Sequence, residues 1–356
     1  MNDASTGTQA ARPRLGFLGT GWIGRHRMER IAESGAADVV MICDLSPQIA
    51  AEAAKAVPEA QIACDFDELL RAGLDGVVIA TPSALHAQQS IRALESGLAV
   101  FCQKPLGRNA AEVEAVIRAA ETAGRLLGVD LSYRFTEGMR RIREIVAGGG
   151  IGEVYACELV FHNAYGPDKP WFYDARLSGG GCVMDLGVHL VDLALWVLGF
   201  PEVRRVSSRL FAAGKPLGAE ASQVEDYGIA AIDLAGGAVA QVACSWRLPV
   251  GRDALIGATF YGTRGGLALR NVNGSFYDFT AEQFDGTSRK TLASPPDAWG
   301  GRAAVAWAEE LASDRGFNPE IRQMITVAQV LDAIYGRGPL SAQEQPQAQP
   351  SSTRAA

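Results

Sequence analysis

The sequence predicts two joined folds: an α/β Rossmann domain, a doubly wound parallel sheet, then an α+β domain on a large, open, mostly antiparallel sheet. Three observations carry this. Up to about residue 131, short runs that are apolar throughout alternate with amphipathic helical patterns, as strands buried on both faces require. From about residue 150, longer segments show partial period-two character and glycine-rich turns. The length of 356 residues is about twice a usual single domain, so two sizeable cores are expected.

The strands RLGFLG, DVVMICD, DGVVIAT, AVFCQKP and LLGVDLS are separated by helical patterns at 22–34, 46–56, 84–97 and 109–123, which gives a first domain over 13–131. GEVYACELVFHN, EVRRVSSRLFAAG, YGIAAIDLAGGAVAQVACSWRL, ALIGATFYGTRGGLALR and SFYDFTAEQF build the second sheet, with turn signals such as AGG and YGTRGG between them. Helical patterns return at 302–313 and 318–336 and complete a second domain over 132–338; these last helices are candidates to pack back on the first. The ends, 1–12 and 339–356, are expected to be disordered, the tail being polar and proline-bearing with too little apolar surface to order itself.

Composition narrows the function classes. The formal charge of −7 is spread along the chain without a Lys/Arg cluster, which argues against a nucleic-acid partner. Six cysteines, at 43, 64, 102, 157, 182 and 244, show no CxxC pairing; reduced thiols and a cytoplasmic location are expected. The first fourteen residues contain no apolar h-region and no twin arginine, and no run of eighteen apolar residues appears. Neither an export signal nor a membrane partner is therefore expected.

The first strand ends in GTGWIG, where Gly19, Gly21 and Gly24 fit GxGxxG and Thr20, Trp22 and Ile23 fill the positions between. Glycine there permits a tight turn, close approach of a pyrophosphate, and packing of the next helix on the strand. The second strand ends at Asp44, twenty residues after Gly24. A carboxylate at that place accepts hydrogen bonds from adenosine ribose hydroxyls and repels a 2′-phosphate, so NAD is expected in preference to NADP. A glycine turn without ligand and a solvated carboxylate are the plainer alternative. Two more strand ends supply Thr81, Pro82 and His86 (ATPSALH) and Gln103 and Lys104 (FCQKP), where this fold binds its ligand. A lysine closing a buried strand can serve as acid, electrophile or clamp; a surface lysine fits the pattern equally.

GGGCVMDLGVHLVDLALW, residues 179–196, carries Asp185, His189 and Asp192. Offsets of four and three stack them on one helical face, as a metal site, a proton relay or a polar seam in a core. No metal is expected, because the four histidines, at 26, 86, 162 and 189, show no second-ligand spacing, and Asp192 reads as structural.

Taken in order, GTGWIG, Asp44, ATPSALH, QKP and GGGCVMDLGVHLVD resemble the Gfo/Idh/MocA oxidoreductases, the glucose–fructose oxidoreductase and inositol dehydrogenase group, over roughly residues 13–338. The resemblance implies a Rossmann domain binding NAD or NADP. It also implies a second domain whose open sheet packs against another subunit, as a homodimer or homotetramer, and hydride transfer between nicotinamide C4 and a hydroxyl or carbonyl carbon of a sugar, polyol or sugar derivative. By that resemblance Lys104 corresponds to the lysine of the family's EKP motif and polarises the reacting oxygen. Asp185 and His189 correspond to the second-domain aspartate and histidine. His189 is then the general acid/base, and Asp185 orients the imidazole or binds a neighbouring hydroxyl. One departure is Gln103, where the family usually has glutamate; losing that charge partner tends to lower the pKa of Lys104. A catalytically silent NAD-binding sensor on the same fold is the alternative.

The loop HNAYGPDKPWFYDARLSGGG offers Tyr165, Trp171, Phe172 and Tyr173, flat faces that stack on sugar rings or anchor the loop. Tyr133 and Arg134 are expected at the cleft, with Arg134 on an acidic or hydroxylated substrate or paired with a carboxylate.

Overall fold

The computed structural model describes residues 12–218 and 223–340; the termini expected to be disordered lie almost wholly outside the described residues. The first domain runs β1 (Arg14–Leu18), α1 (Trp22–Ser34), β2 (Asp38–Cys43), α2 (Pro47–Ala54), β3 (Gln61–Ile62), α3 (Phe66–Leu70), β4 (Gly76–Ile79), α4 (Ser83–Glu95), β5 (Ala99–Cys102), α5 (Ala110–Ala123) and β6 (Leu127–Val129). Its six strands are parallel in the order β3-β2-β1-β4-β5-β6. Leu15, Phe17, Val77, Val78, Ile79, Val100 and Phe101 are buried, which is why these strands read as unbroken apolar runs. The order reverses between β1 and β4, and the carboxyl ends of β1, β4 and β5 emerge side by side at this switch point.

The second domain contains α6 (Glu137–Ala147), β7 (Val154–Asn163), α7 (Ala175–Ser178), a π-helical turn (Val183–Gly187), α8 (Val188–Val197), β8 (Val203–Ala212), β9 (Lys215–Pro216), β10 (Tyr227–Leu234) and β11 (Val239–Ser245). It continues through β12 (Ala254–Gly262), β13 (Gly265–Asn271), β14 (Phe279–Asp285), β15 (Ser288–Ala293), α9 (Arg302–Ser313) and α10 (Gln323–Ile334). Nine strands pair in the order β15-β14-β13-β12-β7-β11-β10-β8-β9, and only β7 with β11 is parallel. Helix α8 is buried around almost its whole circumference and apolar except at His189 and Asp192, as a core helix can be. The span Ala175–Val197 is apolar enough to cross a membrane by length and composition, yet 89% of its apolar window is buried inside the protein.

Six elements escape the periodic pattern, the four-residue α7 among them. β3 and β9 are two residues each and exposed; α3 has five residues with one buried; and β15 is almost wholly exposed. Helix α6 buries only Gly138, Met139 and Ile142. Apart from α6, whose Met139, Ile142, Ile145 and Val146 recur at helical spacing among five charged residues, none of these has an apolar face long enough to announce itself. Helix α9 packs back on the first domain, with Trp307 buried 5.6 Å from the Phe101 ring. Replacing Trp307 with alanine should lower unfolding stability by about 3–5 kcal/mol in denaturant titrations; a loss under about 1 kcal/mol would show that α9 does not dock there.

Candidate active site

A cleft of about 900 Å³ runs between the domains, from Gly21 and Trp22 past Lys104 to Asp185 and His189. Its first wall is the turn after β1. A Cβ on Gly24 would stand 2.1 Å from the Gly19 carbonyl oxygen, so helix packing demands glycine there. Gly21 has ordinary φ and nothing within 4 Å of where its Cβ would lie; its missing side chain leaves open space in the cleft itself. Helix α1 starts without a side-chain cap or an acidic residue in its first turn. Free amides at a helix start, beside room for a bulky anion, fit a pyrophosphate.

Asp44 follows β2 and is oriented by that same turn: its Oδ2 accepts from Thr20 N at 2.7 Å, and its Oδ1 from Ser46 N at 2.9 Å. Its remaining lone pairs suit ribose hydroxyls. Thr81 and Pro82 line the cleft. His86 is buried, with ring nitrogens 2.7 Å from Pro105 O and 2.6 Å from Thr81 O, so it bridges the ends of β4 and β5.

Lys104 reaches across to the second domain. Its Nζ donates to Asp185 Oδ1 at 2.7 Å and to the Asp185 carbonyl at 2.8 Å, while Asp185 Oδ2 accepts from Trp246 Nε1 at 3.1 Å. Among the described residues Asp185 has no hydrogen bond to His189. The expectation that Asp185 orients the imidazole is therefore replaced: it holds Lys104. The π-turn is the reason, since its i→i+5 winding breaks the helical stacking assumed for residues 185, 189 and 192.

His189 is buried against the edge of Tyr133, with ring centroids 4.9 Å apart, and borders the cleft. Burial holds its pKa well below the usual histidine value, and the nearby Lys104 and Arg27 cations depress it further. The imidazole is thus neutral and ready to accept a proton. Asp192 turns the other way, taking a bidentate contact from Arg134, whose Nε lies 2.8 Å from Oδ2. Burial pushes the pKa of Asp192 up against the pull of that partner.

Arg134 is accordingly not in the cleft; its guanidinium also lies 5.6 Å from the centres of both Trp196 and Phe200. Tyr165 is likewise turned outward, its hydroxyl bonded to Asp253. The loop aromatics divide: Trp171 and Phe172 stack at 3.8 Å and line the cleft, while Tyr173 anchors the loop through Pro167 and Arg247. Gln103 borders the cleft beside Lys104. Its amide donates to buried Asp130, which Arg27 holds at 2.6 Å, and the carboxylate partner of Lys104 is Asp185. Arg27, Asp130, Trp246 and Trp299 belong to the site and went unread; only Trp246, closing the strand in SWRL, had a signal in the sequence. Among the described residues no three His, Cys, Asp or Glu side chains converge as a metal site would need.

A glycine turn at the switch point and a strand-end lysine on one side of an interdomain cleft, with a histidine on the other, form the site of a dinucleotide-dependent oxidoreductase. Residues 14–131 match the model of an oxidoreductase family with an NAD-binding Rossmann fold, and residues 139–268 match the GFO/IDH/MocA C-terminal domain. The chain belongs to the Gfo/Idh/MocA oxidoreductase family, and its first domain is NAD-binding. D-glucoside 3-dehydrogenase of Escherichia coli (strain K12) is 27% identical over 246 residues, 65% of this chain and 69% of that enzyme. Inositol 2-dehydrogenase of Rhizobium meliloti (strain 1021) is 29% identical over 72% of this chain and 76% of its own length. The structure of levoglucosan dehydrogenase in complex with NADH shares the fold with a TM-score of 0.78 at 22% identity, covering 91% of this chain and 96% of that one.

Replacing Arg134 with methionine strands a buried carboxylate and should destabilise by about 3–5 kcal/mol while leaving KM for the substrate unchanged. A raised KM with stability intact would place Arg134 on the substrate after all.

Proposed function

We propose that the protein moves hydride between NAD and a hydroxyl-bearing carbon of a sugar, polyol or sugar derivative, with His189 as general acid/base. The observation that carries this is the meeting, in one cleft with the glycine turn, of a lysine held by Asp185 and a buried neutral histidine. The names of the relatives, D-glucoside, inositol and levoglucosan dehydrogenases, support the substrate class.

When bound, NAD supplies the hydride acceptor. In the oxidising direction His189 takes the hydroxyl proton as hydride leaves the same carbon, and such assistance is worth roughly 10²–10⁴-fold. Lys104 donates to the reacting oxygen and favours its developing alkoxide charge; Asp185 fixes the ammonium for that task. In reduction the same groups give back what they took. Trp171 and Phe172 offer the faces on which a sugar ring stacks. Asp44 favours NAD over NADP by its charge. The reading includes a cytoplasmic homo-oligomer joined through the nine-stranded sheet, supported by six free cysteines and by Ile229 and Leu255, exposed on its strands.

A panel of sugars, inositols and amino sugars with NAD, followed at the reduced-nicotinamide absorbance, should yield turnover; tight NAD binding with none across the panel would contradict the reading. His189→Ala should lower kcat by about a hundredfold with NADH affinity unchanged, and intact turnover would remove His189 as the base. In the wild type, the acidic limb of kcat/KM should fall below the ordinary histidine value of about 6.5, because only the neutral imidazole accepts the proton and the fold suppresses protonation. A limb above that value would contradict it.

A further inference from the structure

The three consecutive glycines 179–181 precede the π-turn, and all three are closely approached by distant parts of the chain. A Cβ on Gly180 would stand 2.0 Å from the Tyr335 hydroxyl, and one on Gly181 would stand 1.9 Å from the Glu225 carbonyl oxygen. Glu225, 2% exposed, aims its carboxylate at the backbone these glycines leave accessible. Its Oε1 accepts from Gly181 N at 3.0 Å, Val183 N at 2.9 Å and the Tyr335 hydroxyl at 2.8 Å. The Glu225 carbonyl takes Cys182 N at 3.1 Å, and Tyr335 Oη takes Met184 N at 3.2 Å. Every amide from Gly181 to Met184 is therefore satisfied from outside the helix, at a terminus that has no side-chain cap of its own.

The same short stretch reaches the other support of Asp185. The carbonyl of Asp226 accepts from Trp246 N at 2.8 Å, and the Trp246 indole donates to Asp185 Oδ2. Residues 225 and 226 thus grip both elements that hold Asp185: the π-turn that carries it and the tryptophan that bonds it. Neither residue borders the cleft.

We infer that Glu225 is a positioning residue that fixes Asp185, and through it Lys104, in the geometry the reaction needs; this rests on the function proposed above. Val183 N and the Tyr335 hydroxyl bond Oε1 alone, while Gly181 N is shared with Oε2 at 3.0 Å, so an amide whose oxygen takes the Oε1 place keeps the clamp apart from that second Gly181 contact, whereas truncation removes it. Glu225→Gln is therefore the rescuing variant and Glu225→Ala the breaking one. Tyr335→Phe deletes one donor and the partner of Met184 N, and gives an intermediate loosening.

The test is made on the full-length chain labelled with 5-fluorotryptophan, with the Trp246 resonance assigned by Trp246→Phe. Glu225→Ala should shift the Trp246 line and lower kcat by about a hundredfold, the scale of a 1 Å misplacement, with KM and NADH affinity within about twofold of wild type. Glu225→Gln should restore both, and Tyr335→Phe should fall between. An unshifted line with full kcat in Glu225→Ala, an equal loss of NADH affinity, or damage in Glu225→Gln as large as in Glu225→Ala would overturn the assignment. If Glu225→Ala does not fold, Tyr335→Phe and Glu225→Gln decide it by the same readouts. Should the wild type turn over nothing on the substrate panel, the proposed function fails, while the fluorine line still reports whether Glu225 places Trp246 and Asp185.

Discussion

The contact between Lys104 and Asp185 is the constraint on which the site depends. It joins the end of a parallel strand in one domain to a π-turn in the other, with both side chains largely buried. A pair removed from water in this way is costly unless each group is fully bonded. The protein meets that demand with the Asp185 carbonyl on one side and the Trp246 indole on the other. The same bonds tie the two walls of the cleft together.

Around this contact three carboxylates of the apolar core are each given a distinct partner. Asp185 holds Lys104, Asp192 holds Arg134, and Asp130 receives Arg27 and Gln103. His189 stands apart, with no ion pair among the described residues, and burial together with the nearby Lys104 and Arg27 cations keeps it neutral. The contrast follows from environment: one buried neutral group among several carboxylates pinned by cations, which is what the proposed role of His189 rests on.

Much of the first domain was legible because parallel strands covered on both faces leave apolar runs, and because GTGWIG, Asp44 and QKP fall at strand ends where the fold places its ligand. Lys104, Asp185 and His189 could be gathered into one site by the family resemblance. Their mutual geometry could not be read, since the π-turn has no periodic signature and is held by Glu225 and Tyr335, distant in sequence. Arg134 is expected at the cleft from its place just past the strand LLGVDLS, and Tyr165 from the flat aromatic faces of its loop. Their partners Asp192 and Asp253 lie dozens of residues away, and only tertiary packing reveals them. Gln103 was read against its sequence neighbour Lys104, whereas its amide is taken by Asp130 and the carboxylate beside Lys104 is Asp185, both distant in sequence.

The claim that Lys104 and Asp185 act as one unit is tested most directly by a double-mutant cycle on kcat/KM, with Lys104→Met, Asp185→Asn and the double variant assayed on a substrate found in the panel. If Asp185 works only by holding Lys104, the double variant should be no worse than Lys104→Met alone, a strongly non-additive result. Losses that add in full would show two independent contributions and contradict the account.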